Sequence, residues 1–251
     1  METSKTTRAL SIAAAVLFAL IAMVAAYRNI GIPPVAIVGG SSLVGLALWI
    51  RTYLRKPLDA RVILPPFLLT VAALEVHMAE EYLTGFGPAI SRLFDASWTE
   101  RSFLMIFAFI GPALYALTAL GLFYRKPLAG FLACFIFVGP GVAEFTHFIF
   151  PVLEPAILSH LQDPISQTVS NGRFVADMRN YWVQTTGTYY FPGMYTAILP
   201  MIPGIWAIVR IIRASRAARL AAEASRRTSL GMETPIAPAP ARPSLDYAPL
   251  P

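Results

Sequence analysis

The sequence predicts an all-α, polytopic transmembrane helical bundle of about six spans with both termini in the cytoplasm. Three observations lead there. Of 251 residues, 56% are hydrophobic and 14% are charged, whereas a soluble domain carries about 25% charged residues. Mean hydropathy is +0.60. The apolar residues fall in blocks of about 18–25, each long enough to cross a hydrocarbon core of about 30 Å.

The first block runs from about Ala9 to Tyr27, behind Lys5 and Arg8. Its apolar core is longer than the roughly 7–15 residues of a secretory signal, so it reads as an uncleaved span. The second block covers about Pro34 to Ile50, the third Val62 to Gly85, the fourth Ser102 to Tyr124 and the fifth Leu128 to Pro151. A longer polar segment, Val152 to Thr188, precedes the sixth block, Tyr189 to Ile212. Pro65, Pro66, Pro112, Pro140, Pro192, Pro200 and Pro203 fall in or near spans, where proline is expected to kink a helix. Residues 1–213 therefore form the bundle. Residues 214–227, "ASRAARLAAEASRR", have strong helix propensity and read as a basic cytoplasmic extension. Residues 228–251 hold "PIAPAPARPSLDYAPLP", and that density of proline predicts a disordered tail.

Charge placement gives the orientation. Arg51, Arg55, Lys56 and Arg61 lie between the second and third blocks, Arg125 and Lys126 between the fourth and fifth, and Arg210, Arg213, Arg216, Arg219, Arg226 and Arg227 at the end of the sixth and beyond. With six spans these regions share one side with Lys5 and Arg8, and the positive-inside rule makes that side cytoplasmic. The net charge of +6 follows from this distribution and does not point to nucleic acid. Anionic membrane lipid is the expected partner of the basic extension. Cys134, the single cysteine, excludes an intrachain disulfide and a CxxC metal site, and reads as a buried packing thiol.

Two polar clusters interrupt the apolar pattern. In "EVHMAEEYL", residues 75–83, His77, Glu80 and Glu81 stand at i, i+3 and i+4 and share one helical stripe, while Glu75 points away from it. Thr70 and Thr84 lie near the stripe. In "GPGVAEFTHF", residues 139–148, Glu144 and His147 are an i,i+3 pair near Gly141. Glycine there lets another helix or a ligand come close. At about 1.5 Å per residue, both clusters lie about 6–12 Å inside the outer boundary. Isolated charges at such a depth cost at least about 2.5–3.5 kcal/mol each, so a shared inward-facing pocket near the extracytoplasmic side is expected.

Three readings of the pocket follow. The first is a metal centre. His77, Glu80, Glu81, Glu144 and His147 make a ligand set suited to iron, zinc or manganese. An i,i+3 Glu/His pair is also how helical di-iron bundles present ligands, although this chain has Glu144-x-x-His147 once and the reverse order, His77-x-x-Glu80, once. The protein would then be a metal-dependent oxidoreductase or hydrolase acting on a lipophilic small molecule, with Glu80, Glu81 and Glu144 as catalytic carboxylates. One shared site requires the Glu81 and Glu144 carboxylates to lie within about 12 Å of each other. The second reading is metal-free acid–base chemistry, an isomerase or cyclase, since His77-x-x-x-Glu81 with Glu144 is similar in residue type to the membrane sterol-isomerase arrangement. The third is a structural, sensing or proton- or ion-relay network without catalysis.

His77-Met78-Ala79-Glu80-Glu81 matches H-x-x-E-E inside a span, with Glu144-x-x-His147 in a later one. This resembles the HXXEE family of bacterial integral membrane proteins, over about residues 15–210. The resemblance implies a bacterial inner-membrane protein in which His77, Glu80 and Glu81 act as a unit, and it supplies no reaction. Outside the spans, His160 and Asp163 read as solvated loop residues, with extra ligands reaching over the pocket as the alternative. Arg173 and Asp177, four apart, suggest a short helix whose Val175, Met178, Tyr181 and Trp182 lie on the interface. Tyr82 is expected beside the pocket, Tyr189 and Tyr190 at its rim, and Trp49, Trp98, Trp182 and Trp206 at span ends. There is no glycine-rich phosphate loop, G-x-S-x-G elbow or haem-attachment motif, and three histidines are too few for a desaturase-type histidine box.

Overall fold

Hydrocarbon demands that backbone polar groups pair within one segment, and the chain meets that demand with helices. The computed structural model describes residues 3–29, 31–94, 98–153, 168–170, 173–175 and 190–230. The elements are α1 (Lys5–Asn29), α2 (Ile32–Thr52), α3 (Ala60–Thr84), α4 (Phe86–Leu93), α5 (Glu100–Leu104), α6 (Gly111–Phe123), α7 (Pro127–Ile136), α8 (Phe150–Leu153) and α9 (Ile198–Ser229). A π-helical stretch, Met105–Ile110, joins α5 to α6. Among the described residues, six stretches are long and apolar enough to cross a membrane: Lys5–Arg28, Val35–Thr52, Ala60–Thr84, Glu100–Phe123, Pro127–Val152 and Ile198–Ser229. Their outer faces expose Leu17, Ile21, Leu43, Phe109, Leu117 and Ile202, an apolar surface of the kind a bilayer covers. The all-α bundle expected from the sequence is the fold observed.

Local chemistry sets several element ends. Asp59 caps α3 by accepting from the Arg61 N–H at 2.9 Å, and Thr99 caps α5 by accepting from the Ser102 N–H at 3.2 Å. Gly85, at φ 82°, ends α3 in the left-handed conformation that glycine adopts without strain. The chain then turns directly into α4, a short helix that the sequence reading does not anticipate.

The third and fifth spans are the most buried. Two hydrophobic clusters lie along α3. Ile63, Phe67 and Val71 join Trp49, Tyr53, Phe131 and Phe137 in the larger one. Leu74 and Met78 join Phe86, Trp98, Phe103, Phe150 and Phe191 in the other. Trp49 donates its indole N–H to the Pro127 carbonyl at 2.8 Å, tying α2 to α7. Tyr53 packs where Gly130 has no side chain; a Cβ there would lie 2.2 Å from the ring.

The end of the bundle carrying the larger cluster also gathers the basic loops. Arg125 forms an ion pair with Asp59, Arg210 donates to the Arg61 carbonyl at 3.0 Å, and the Thr3 N–H reaches the Arg55 carbonyl at 3.1 Å. The N-terminal segment, both basic loops and Arg210 therefore meet at one end, as alternating spans require.

Three expectations are corrected. The sixth helix does not begin at Tyr189: Tyr190 and Phe191 are not helical, residues 192–197 form turns, and α9 starts at Ile198. Gly193, at φ 86°, takes the left-handed conformation that ends a right-handed helix, directly after Pro192. Arg173–Val175 is not helical but a strand, β2, paired antiparallel with β1 (Thr168–Ser170) in the register Thr168 with Val175. Phe174 and Val175 are aromatic and β-branched, residue types that favour a strand. The fifth span is not α-helical throughout. After α7 it passes through a π-helical turn, Phe137–Gly141, into a 3₁₀ helix, Val142–Phe148. Pro140, which lacks an N–H and crowds the preceding turn, sits at the change.

The chain divides into two units, residues 1–215 and 216–251. In the second, residues 216–229 are the basic part of α9, nearly all exposed. The proline-rich stretch from 231, and His160, Asp163, Asp177, Met178, Tyr181, Trp182 and Tyr189, lie outside the described residues.

Candidate metal centre

The third and fifth spans bring four of the five expected ligands together. His77, Glu81, Glu144 and His147 each offer a donor atom, and these atoms all lie within 4.8 Å of one another. His77 and Glu81 are one helical turn apart on α3, with His77 Nε2 3.4 Å from Glu81 Oε1. Glu144 and His147 stand three apart in the 3₁₀ stretch, where i and i+3 side chains eclipse. The fifth span thus stacks its pair directly, and His147 Nδ1 lies 3.2 Å from Glu144 Oε2. Between spans, His77 Nε2 is 3.2 Å from Glu144 Oε2 and His147 Nε2 is 2.9 Å from Glu81 Oε1.

Burial is nearly complete. The side chains of His77, Glu81 and His147 are 0%, 3% and 2% exposed, and Glu144 at 15% is the one open edge. Glu81 Oε2 is buried with no hydrogen-bond partner, one of five such side-chain atoms among the described residues and the one that belongs to a carboxylate. The donors also fit a cation. Four ligands about 2.0–2.1 Å from a tetrahedral centre lie about 3.3 Å apart; three of the pairs above, His77 Nε2 with Glu81 and with Glu144 and His147 Nε2 with Glu81, run from 2.9 to 3.4 Å, and the full set of four donors lies within 4.8 Å.

Glu80 is the fifth expected ligand, and its carboxylate goes elsewhere. It accepts from the Tyr195 N–H at 3.2 Å, the Thr196 N–H at 2.7 Å and the Thr196 hydroxyl at 2.5 Å. It therefore anchors the turn segment that precedes α9, satisfying N–H groups near a helix start. That segment crosses the centre closely. A Cβ at Gly193 would lie 2.7 Å from Glu81 Cγ and 3.0 Å from His147 Nε2. Gly193, Thr196 and the aromatic surround were not singled out in the sequence. The Pro192-Gly193 pair was the available signal, since it marks a turn rather than a helix interior.

The aromatic surround holds His147. Phe86 stacks on its ring at 5.0 Å and 24°, Phe150 meets it edge-on at 5.7 Å, and Phe191 at 6.2 Å. The two imidazoles lie edge to face, 4.8 Å apart. Other candidates fall away from the centre. Glu75 is exposed on the opposite face of α3. Thr70 and Thr84 donate to the Pro66 and Glu80 carbonyls of their own helix. Tyr82 donates to Glu100 at 2.6 Å. Trp206 is exposed, with the Arg210 guanidinium 5.2 Å above its ring. Comparison with protein-family models, with curated proteins and with solved structures finds no match.

Proposed function

We propose that the chain is an integral membrane protein that holds one divalent transition metal with His77, Glu81, Glu144 and His147, and acts as an oxidoreductase or hydrolase on a lipophilic substrate. The observation that carries this reading is Glu81 Oε2, a buried carboxylate oxygen without a partner, in a group of four potential ligands whose donor atoms all lie within 4.8 Å of one another. Two carboxylates and two neutral imidazoles sum to −2, which a divalent cation neutralises. Mixed imidazole and carboxylate donors suit iron, zinc or manganese. A metal there supplies Lewis acidity or a redox change. The chain itself excludes water with Phe86, Phe150 and Phe191 and leaves access beside Glu144, its one partly exposed ligand.

The likeness of residues 77–81 to the HXXEE proteins supports treating this stretch as a functional unit, and rests on the motif and its place in a span. The gathering of basic residues at one end of the bundle supports cytoplasmic termini in a bacterial inner membrane, with the centre toward the opposite side.

A second reading has its own observation. Separations of 2.9–3.4 Å are also those of His–Glu ion pairs, and two imidazoliums balance two carboxylates without a metal. Such a network would fix helix register, relay protons or perform acid–base chemistry. The enzymatic reading is tested by incubating metal-loaded protein in vesicles made from total bacterial lipid and comparing lipid mass spectra with those from Glu144→Gln. Products formed by wild type and not by the variant are expected; identical spectra would sink the enzyme and leave the network.

A further inference from the structure

Thr196 stands just before α9 and touches two residues of α3. Its hydroxyl lies 2.5 Å from Glu80 Oε2 and 3.2 Å from His77 Nδ1. A carboxylate only accepts, so the hydroxyl gives its single proton to Glu80 and keeps its lone pairs for His77. The contact with His77 is then a hydrogen bond only if Nδ1 carries the imidazole proton. That leaves the lone pair on Nε2, the atom that faces Glu144 at 3.2 Å and Glu81 at 3.4 Å. His147 is arranged likewise: its Nδ1 lies 3.2 Å from the Glu144 carbonyl, which can only accept, and Nε2 faces Glu81.

We propose that Thr196, oriented by Glu80, is a positioning residue that fixes the tautomer of His77 and so makes Nε2 available as a ligand. The inference rests on the metal centre proposed above and reassigns Glu80 from ligand to support. Outer partners of ligating histidines commonly act this way. Without the hydroxyl, Nδ1 loses its acceptor, and the tautomer with Nε2–H donating to Glu144 or Glu81 is favoured. Its Nε2 has no lone pair for a cation.

Thr196→Val keeps the size of the side chain and both backbone N–H bonds to Glu80, and deletes the hydroxyl alone. Thr196→Ser restores it. Detergent-purified wild type and both variants are titrated with Co²⁺, with visible absorption reporting ligand geometry and a competing chelator reporting affinity. Wild type and Thr196→Ser should match in spectrum and affinity, while Thr196→Val should bind about 10–100-fold more weakly with an altered spectrum. Thr196→Ala takes its place if the valine variant is not monodisperse. Binding by the hydroxyl-free variant within about threefold of wild type, with an unchanged spectrum, overturns the inference and leaves the metal centre standing. Wild type that binds no Co²⁺ overturns both.

Discussion

Glu80 and Glu81 are neighbours in sequence with different partners. Glu81 meets His77 and His147, whereas Glu80 is taken up by Tyr195 and Thr196. Helical spacing reads both as members of one stripe, and membrane energetics reads both as functional. What periodicity does not disclose is a strap from more than a hundred residues later that claims one of them. Glu81→Gln should abolish metal retention while the protein stays folded, because it removes a buried charge that the cation must balance; elemental analysis checks it. Gly193→Ala combines left-handed backbone with a contact 2.7 Å from Glu81 Cγ. It should destabilise the protein by about 1–3 kcal/mol and loosen metal binding, read by thermal unfolding and chelator competition. Acidification should also release the metal, since both imidazoles must be unprotonated to ligate; affinity measured across pH should fall toward low pH.

The fifth span carries half of the centre and departs most from a regular helix. Its existence and the Glu144/His147 pairing were legible, because length, hydropathy and an i,i+3 spacing survive in any helical geometry. The π turn and the 3₁₀ run were not. They depend on how the chain relieves Pro140 against neighbouring spans. At that level Gly141 in the fifth span meets Gly204 in the sixth: a Cβ on Gly204 would lie 3.2 Å from Gly141 Cα and 3.2 Å from the Phe137 carbonyl oxygen. Both obstacles are backbone, so the helices must move apart to admit a side chain. Gly204→Val should therefore cost about 1–3 kcal/mol of stability and weaken metal binding together, whereas a defect in one without the other would separate the crossing from the centre. The start of α9 departs from the sequence pattern for a related reason. Aromatic and apolar residues in "YYFPGMY" suit a span by composition, and the turn at Gly193 outweighs them locally.

For the whole molecule, the six-span bundle was legible because hydrocarbon leaves few alternatives to long apolar helices. The alternation of basic loops was legible too, and Asp59 with Arg125, and Arg210 with Arg61, join those regions at one end. Since Cys134 is fully buried, single cysteines introduced elsewhere report sidedness cleanly. Lys56→Cys should be labelled by an impermeant maleimide only after the cytoplasmic face is opened, and Thr99→Cys from outside intact cells. The reverse pattern would invert the proposed topology. Everything proposed for function rests on whether a cation sits between the third and fifth spans. Elemental analysis of wild-type protein, purified in detergent and reconstituted with iron, zinc and manganese in turn, measures that directly. About one equivalent of one divalent metal per chain, lost in Glu81→Gln and in His147→Ala, is the predicted result; less than about 0.2 equivalents of every metal in the wild type would contradict it.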